Sequence, residues 1–270
     1  MKVAAEFCRA AGAGGVMAGS RIVQAMRAST FLGETWVITL REGALQALAW
    51  AGGNLILVGA DAAAARALGT LARVRGGRYA SIVGDAEAVA AFWAVVGPGW
   101  PQPRAYRENQ LLLEAPASAP LSLDLAPDPD VKVATLDGLD PMVVACRAMF
   151  TEELGFPPPG LDSAYRAHVA GQVERGNLMV RTDPATGKVI FKAELGAELG
   201  RWVQIQGVWT DPAWRGRGIA KAGMAAVMAE CARRGRDRVC LYVNHYNLPA
   251  LAVYRALGFY QSRTWATIMF

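Results

Sequence analysis

A proline-rich stretch near the middle of the 270-residue chain is the feature that most constrains its fold. Proline fixes φ and lacks an N–H, so it interrupts helices and the hydrogen-bond ladders of central strands. The prolines lie between Ala115 and Asp130 and are Pro116, Pro120, Pro127 and Pro129. A linker is the expected result, and each flanking part is long enough to have its own core. We therefore predict an N-terminal domain at 1–115, a linker at 116–130 and a C-terminal domain at 131–270.

The C-terminal part has the hydrophobic pattern of a mixed α/β domain. Consecutive strands in its middle exclude a strict β-α-β alternation, and with it a plain doubly wound fold. The predicted strands are Val131–Ala134, Leu178–Thr182, Val189–Leu195, Trp202–Trp209, Val239–Val243 and a last strand through Thr267. The predicted helices are Leu139–Glu153, Asp162–Arg175, Arg217–Arg234 and Pro249–Leu257.

The N-terminal part repeats the later half of this order in a weaker form and predicts a second, smaller α/β domain. Its predicted strands are Trp36–Leu40, Ala47–Ala51, Leu55–Val58, Tyr79–Val83 and Arg107–Leu113, and its predicted helices are Ala62–Arg75 and Glu87–Val96. Aligning Gly97 with Gly258 places Trp93 opposite Tyr254. We interpret the pattern as a tandem repeat, and chance similarity between two α/β halves is the open alternative.

Charge and composition narrow the function classes. The net charge of +5 comes from 28 Lys and Arg against 23 Asp and Glu. This surplus is too small for the dense basic stripe of a nucleic-acid binder or the polybasic cluster of a membrane anchor, so we expect neither partner. All of it lies in 213–238, where there are seven basic and two acidic residues. The uncharged stretch 43–60 approaches the length of a membrane span, but Gly52, Gly53 and Asn54 predict a turn at its middle.

Cysteine and histidine usage argues against metal binding. The four cysteines are too far apart for a paired ligand spacing, and there are only two histidines, so we expect no metal site and no disulfide framework. Glu6 and Arg9 interrupt the apolar run that an export signal would need. A cytoplasmic, reducing location is the expected one.

The stretch Val208–Lys221 is the strongest candidate for a ligand site. An apolar strand runs through Asp-Pro into a glycine-containing basic turn and then a helix, so unpaired N–H groups lie at the positive end of a helix dipole, where phosphate binds. Gly216 and Gly218 allow close approach, and the cations are Arg215, Arg217 and Lys221. Lys221 stands where a dinucleotide fingerprint needs glycine. A turn with solvated arginines is the alternative.

A second motif follows the next strand, with Asn247, Tyr254 and the pair Gly258-Phe259. Together the two motifs resemble those of the GNAT superfamily of acyl-CoA-dependent acetyltransferases. Arg215, Gly218 and Ala220 fit its phosphate motif, and Asn247 and Tyr254 fit the second one. The resemblance covers roughly residues 130–270 and implies a GNAT fold there. The N-terminal domain, with Asp61 where phosphate would lie, is expected to be GNAT-like and degenerate.

The resemblance also implies a site. The pyrophosphate of acetyl-CoA would lie on the backbone amides of Gly216, Arg217, Gly218, Ile219, Ala220 and Lys221. The pantetheine arm would pair with Val208, Trp209 and Thr210 and accept a contact from Asn247. A backbone N–H near Val208 would stabilise the oxyanion. Tyr254 would be the general acid.

The general base is predicted from the residues alone. Glu194 lies in a strand expected to be buried, so its carboxylate needs a partner or a cavity. It is a candidate base, with a salt bridge to a neighbouring Lys or Arg as the alternative. Glu152 and Glu153 are interpreted as a solvated helix end. The leading hypothesis is an N-acetyltransferase acting on an amine, the rival is a non-catalytic CoA-binding or sensing protein, and a homodimer is expected from strand pairing between GNAT domains.

Overall fold

The computed structural model describes residues 1–119, 125–158 and 160–270. Part of the predicted linker, 120–124, and one position of the proline-rich loop before α6 lie outside the described residues. The strands are β1 Glu34–Thr39, β2 Leu45–Ala51, β3 Leu55–Val58, β4 Ser81–Asp85, β5 Ala105–Pro116, β6 Lys132–Val133, β7 Leu178–Thr182, β8 Val189–Leu199, β9 Trp202–Thr210, β10 Arg238–Asn244 and β11 Tyr260–Met269. The helices are α1 Lys2–Ala10, α2 Val16–Arg27, α3 Ala62–Arg75, α4 Ala86–Val96, α5 Leu139–Leu154, α6 Asp162–Glu174, α7 Ile219–Arg233 and α8 Leu248–Ala256.

All these strands form one mixed sheet in the order β1-β2-β3-β4-β11-β5-β10-β9-β8-β7-β6. The succession of three strands, helix, strand, helix, strand occurs twice, first from β1 to β5 and then from β7 to β11. In both copies the third and fourth strands pair in parallel, β3 with β4 and β9 with β10. The mixed α/β class predicted from the sequence is confirmed.

The two copies exchange their last strands. β5 lies between β10 and β11 and pairs antiparallel with both, while β11 lies between β5 and β4. Each copy thus supplies the strand that completes the sheet of the other. The sheet therefore continues across the predicted boundary at residue 115, and the division into domains at 1–115 and 131–270 stays a prediction.

Helices α1 and α2 pack against both copies. Neither helix was predicted from the sequence. Cys8 of α1 and Ile22 of α2 are buried with Leu48 of β2 on one side and Leu199 of β8 on the other. A Cβ at Gly19 would lie 2.4 Å from Leu199 Cδ2, so glycine is what allows α2 to approach β8 this closely. The two helices thus pack on one face of the sheet and contact both copies.

Every predicted helix and strand is present, but most of their ends differ from the prediction by one to four residues. The predicted strand at Val131–Ala134 is reduced to the two residues of β6. The predicted start of the helix at Arg217 is wrong by two residues, because Gly216 and Gly218 take left-handed φ values of +75° and +78° and α7 begins only at Ile219. Across the described ranges, no helix has both the length and the apolar character needed to cross a membrane.

Candidate active site

A cleft opens where two parallel strands separate. β9 and β10 pair only from Trp202 to Gln204 on one side and from Arg238 to Cys240 on the other. Beyond these residues the strands part around a cleft of about 1010 Å³, whose walls include residues of α5, α6 and the start of α7. This separation leaves backbone groups of β9 without a partner on β10.

A β-bulge interrupts β9 at the mouth of this separation. Lys192 is opposite Trp209 and Glu194 is opposite Gln206, so Gly207 and Val208 together face one residue of β8. Gly207 has φ +56°, a left-handed value that favours glycine. A bulge leaves a residue unpaired and re-aims the chain. The predicted oxyanion donor near Val208 thus lies at a point where β9 has no register partner on either neighbouring strand.

The turn before α7 offers amides to a ligand. Gly218 is the N-cap residue and no side chain caps the helix. A Cβ added at Gly216 or Gly218 would meet nothing within 4 Å, so the surface there is open. The amides of Ile219 and Ala220 have no hydrogen-bond acceptor among the described residues, whereas that of Lys221 donates to Gly218 O at 3.0 Å. The amides of Gly216, Arg217 and Gly218 likewise have no acceptor within the described part of the chain, so the free donors extend from Gly216 to Ala220.

The three predicted cations lie in different surroundings. Arg215 lines the cleft, where its Nη2 is 2.7 Å from Glu152 Oε2 and its Nε donates to Thr210 O. Lys221 also lines the cleft and forms no ion pair with any residue the structure describes. Arg217 does not line the cleft: its guanidinium lies 4.9 Å from the ring centre of Trp214 and donates to Ala213 O. Of the three, Arg215 and Lys221 thus line the cleft.

Glu152 is exposed near the end of α5, as its interpretation as a solvated helix end implies, and it is also part of this network. Its Oε2 accepts from Arg215 and also from Trp209 Nε1 at 3.0 Å. The hydrogen bond from Arg215 is the main cause that lowers the pKa of Glu152, with that from Trp209 adding to it. Glu152 therefore connects α5 to both β9 and the turn. The indole N–H of Trp209 is used in this contact with α5.

Two predicted residues lie on or beside α8. Tyr254 lines the cleft and is 7% exposed. Burial raises the pKa of its phenol above the ordinary value of 10, with a smaller contribution from the negative charge of Glu153. Its hydroxyl forms no hydrogen bond within the described part of the chain. Asn247 also lines the cleft, but its Oδ1 accepts from Ala250 N at 3.2 Å and caps α8. Its side-chain amide nitrogen forms no hydrogen bond with any residue that the structure describes and is available to a ligand.

Glu194 lies in a buried charge pair. Its Oε1 is 2.6 Å from Lys192 Nζ, and its Oε2 accepts from Gln206 Nε2 at 3.2 Å. Lys192 is 0% exposed and Glu194 is 9% exposed and lines the cleft. The salt bridge considered as an alternative at this position is therefore present. Lys192 was missed from sequence, although two polar residues two apart in an apolar strand indicate a pair on one face.

Asn244, at the end of β10, is a further residue that the motifs did not reveal. It lines the cleft, and its Oδ1 is buried with no donor among the residues that the structure describes. A buried acceptor without a donor is costly. A ligand N–H in the cleft would relieve that cost.

The other end of the cleft is aromatic. Phe150 of α5 and Tyr165 of α6 meet edge to face, with ring centres 6.4 Å apart. His168 follows Tyr165 on α6, and its ring centre lies 6.3 Å from that of Tyr165. Burial raises the pKa of Tyr165 to about 12. These aromatic residues line the same cleft as the residues of the turn. Within the described residues no cluster of three or more His, Cys, Asp or Glu could hold a metal ion.

The site thus combines a separated parallel strand pair with an uncapped helix N-terminus beside it. Residues 148–259 match the model of the "Acetyltransferase (GNAT) family", and residues 33–142 match a "Domain of unknown function (DUF4081)". The C-terminal part of this chain thus contains a region, 148–259, that matches the GNAT acetyltransferase family.

Two curated relatives are mycothiol acetyltransferases. The chain is 40% identical over 73 residues to the one from Nocardioides sp. (strain ATCC BAA-499 / JS614), covering 26% of this chain and 25% of the relative. It is 34% identical over 101 residues to the one from Clavibacter sepedonicus, covering 33% of each. The matched regions thus span only about a quarter to a third of the length of these relatives.

Solved structures resemble the chain over nearly its whole length. An acetyltransferase of the GNAT family from Colwellia psychrerythraea has a TM-score of 0.57 at 14% identity, covering 88% of this chain and 85% of that one. A tandem GNAT protein from the clavulanic acid biosynthesis pathway has a TM-score of 0.52 at 15% identity, covering 93% and 87%. At these identities the likeness concerns the fold, and it extends into the N-terminal copy.

Proposed function

We propose that this protein is an acetyl-CoA-dependent N-acetyltransferase that moves an acetyl group directly to an amine in a ternary complex. The observation that carries the proposal is the separation of β9 and β10 beside the uncapped N-terminus of α7, with the buried Tyr254 in the same cleft. A slot between strands, free amides and a proton donor are together what a pantetheine thioester needs.

Acetyl-CoA is assigned to the cleft by matching its parts to the groups there. The pyrophosphate suits the amides of Ile219 and Ala220, at the positive end of the α7 dipole and near Lys221. The pantetheine arm suits the exposed edge of β9 at Val208–Thr210, in the manner of an added strand. Asn244 Oδ1 would accept from an amide N–H of that arm.

The transfer needs two proton movements. As the amine attacks the thioester carbon, the new C–N bond forms and the carbonyl oxygen gains charge, which the N–H of Val208 stabilises. The C–S bond then breaks, and the departing thiolate takes a proton from the Tyr254 hydroxyl. Because burial keeps the pKa of Tyr254 above its ordinary value, the phenol stays protonated and able to donate at neutral pH.

The proton of the attacking amine is assigned to Glu194, directly or through water. Glu194 lines the cleft, and its carboxylate is held by Lys192 and Gln206. The alternative is that Glu194 is not a base and only balances the charge of Lys192, which the same contacts would also allow. Replacement by Gln separates the two roles: a lost base flattens the acidic limb of the rate profile, whereas a lost charge partner lowers stability and leaves the shape of the profile unchanged.

Compartment and assembly belong to the proposal as well. The four cysteines are free and buried, which suits a reducing cytoplasm. The strand pairing expected between GNAT domains occurs here inside one chain, between β5 and β11. A homodimer would have to use another surface, and it stays a prediction that sedimentation velocity would test.

The test of function is whether the protein consumes acetyl-CoA in the presence of each of a panel of acceptors. The reaction is measured by the appearance of the free thiol of CoA. The panel contains small primary amines, peptides with free N-termini, and mycothiol with its deacetylated form, because two relatives bear the name mycothiol acetyltransferase. Acetyl-CoA binding by calorimetry is measured first. Binding without turnover on any acceptor would favour the non-catalytic CoA-binding protein, and no binding at millimolar ligand would refute both.

A further inference from the structure

The buried ammonium of Lys192 contacts the bulge of β9 as well as Glu194. Its Nζ donates to Gly207 O at 3.0 Å and to Glu194 Oε1 at 2.6 Å. The side chain is 0% exposed, so water does not screen the charge. A charged donor makes a hydrogen bond roughly twice as strong as a neutral one. The ammonium therefore holds the Gly207 carbonyl firmly in place.

The carbonyl of Gly207 and the N–H of Val208 belong to the same peptide group. In a trans peptide the N–H points opposite to the C=O, so fixing the carbonyl toward Lys192 directs the N–H of Val208 away from it. Val208 lines the cleft and has no register partner on β8 or β10. Electron withdrawal at the carbonyl oxygen also makes the N–H of the same group a stronger donor, as in cooperative hydrogen-bond chains.

We propose that Lys192 is a positioning residue that orients and polarises the Gly207–Val208 peptide, so that the N–H of Val208 stabilises the oxyanion formed from the thioester. This inference rests on the proposed acetyl transfer, because it assigns a source of strength to the donor in that reaction. It also explains why a lysine is buried here at all, since a buried ion pair by itself is often no more stable than apolar residues of the same volume.

The effect of the ammonium is isolated by comparing two variants. Glu194→Gln keeps the ammonium and supplies a neutral acceptor, while Lys192→Met with Glu194→Gln removes the ammonium without leaving a carboxylate unpaired. Relative to Glu194→Gln, we expect the double variant to lose about tenfold in kcat with little change in KM, less than the 10²–10³ that follows removal of an oxyanion donor. Thermal unfolding of both variants serves to confirm that they are folded.

Two spectroscopic measurements report on the peptide itself. In the ligand-free protein, the Val208 amide proton should move upfield in the double variant but stay at its wild-type position in Glu194→Gln. In wild-type protein, the Gly207 carbonyl carbon should resonate downfield of exposed glycines, which needs no substitution. An amide shift unaffected by loss of Lys192, or a Gly207 carbonyl like that of exposed glycines, would overturn the polarisation.

Difference infrared spectra of acetyl-CoA labelled with ¹³C at the thioester carbonyl complete the test. The carbonyl band should be lowered in frequency in the wild type and in Glu194→Gln, and most of this shift should be lost in the double variant. A band unshifted in a wild-type complex that does bind acetyl-CoA would overturn the assignment of the Val208 donor. A shift fully kept in the double variant would show that Lys192 is structural and leave the proposed function standing.

Discussion

The two copies of the element order contain the same pair of parallel strands, and only one pair is open. Between β9 and β10 the pairing ends at Gln204 and the cleft begins. The register of β3 and β4 also covers only two residue pairs, Leu55–Ile82 and Ile56–Val83. The next residues nevertheless stay close, because a Cβ added at Gly84 would lie only 3.0 Å from Leu57 Cβ. Glycine in β4 thus permits a contact that fills the space where the other copy has its slot.

The helix that follows each pair shows the same contrast. Asp61 caps α3, and its Oδ1 accepts from Ala64 N at 2.8 Å. At α7 the N-cap is Gly218 and no side chain caps the helix. A carboxylate at the first site occupies the amides and repels phosphate, whereas the second site leaves them to a ligand. One topology therefore supports either a ligand site or a closed core, and the choice depends on a few residues around the third strand.

The largest difference we expect between the copies is catalytic. Tyr254→Phe should lower kcat by about 10²–10³ because the thiolate loses its proton donor, whereas Trp93→Phe, at the matching position of α4, should leave kcat within about twofold. With the pKa of Tyr254 raised by burial, wild-type kcat should show no alkaline loss below about pH 10. Steady-state rates across pH measure both. Equal profiles for Tyr254→Phe and wild type would contradict the acid role.

Capping α7 as α3 is capped should weaken ligand binding. Gly218→Asp places a carboxylate beside the free amides, and Gly218→Asn adds the same bulk at the same φ of +78° without the charge. We expect the Kd for acetyl-CoA to be about tenfold higher for Asp than for Asn, with the ratio shrinking at high salt. Calorimetry at two salt concentrations tests this. Equal Kd values would place the pyrophosphate away from α7.

Closure of the N-terminal strand pair predicts a stability effect. Gly84→Ala should lower the free energy of unfolding by about 1–3 kcal/mol, because the new methyl group is forced against Leu57. Gly53→Ala, where a Cβ meets nothing within 4 Å, is the control and should change stability by less than about 0.5 kcal/mol. Urea unfolding measures both. A neutral Gly84→Ala would mean that β3 and β4 can part, and the contrast with β9 and β10 would fail.

The smallest effect concerns the cap of α3. Asp61→Ala should cost about 1 kcal/mol of unfolding free energy, while Asp61→Asn, which still caps, should cost less. Neither should change the stoichiometry of one acetyl-CoA per chain. Two ligands bound by Asp61→Ala would show that the cap alone had kept the N-terminal copy from binding.

Sequence patterns predicted most helices and strands because apolar periodicity is a local property. Leu55–Val58, Ala62–Arg75 and Leu178–Thr182 have the predicted bounds. The exchange of β5 and β11 escaped prediction because pairing partners distant in the chain leave no local signal. Helix α2 contains Gly19, which interrupts its apolar pattern and serves close packing against Leu199. The glycine-rich turn Gly12–Gly15 separates α2 from α1.

At the candidate site, the spacing of the motifs predicted which residues are present, whereas their hydrogen-bond partners are seen only in the structure. The motifs and the expected burial predicted a set of site residues, and all of them except Arg217 line the cleft. The guanidinium of Arg217 lies over the ring of Trp214 instead. The hydrogen bonds of Lys192 and Glu152 join elements that are up to 63 residues apart. Such contacts follow from the sheet order, which motifs do not specify.

The exchanged strand has a consequence for how the protein is made. β11 follows every other strand in chain order, yet it fills the gap between β4 and β5 of the N-terminal copy. Before β11 has been synthesised, β4 lacks a neighbouring strand on one side. Such an unpaired strand edge can pair with other chains and cause aggregation. We therefore expect the first half of the nascent chain to depend on a holding chaperone until translation has delivered its final strand.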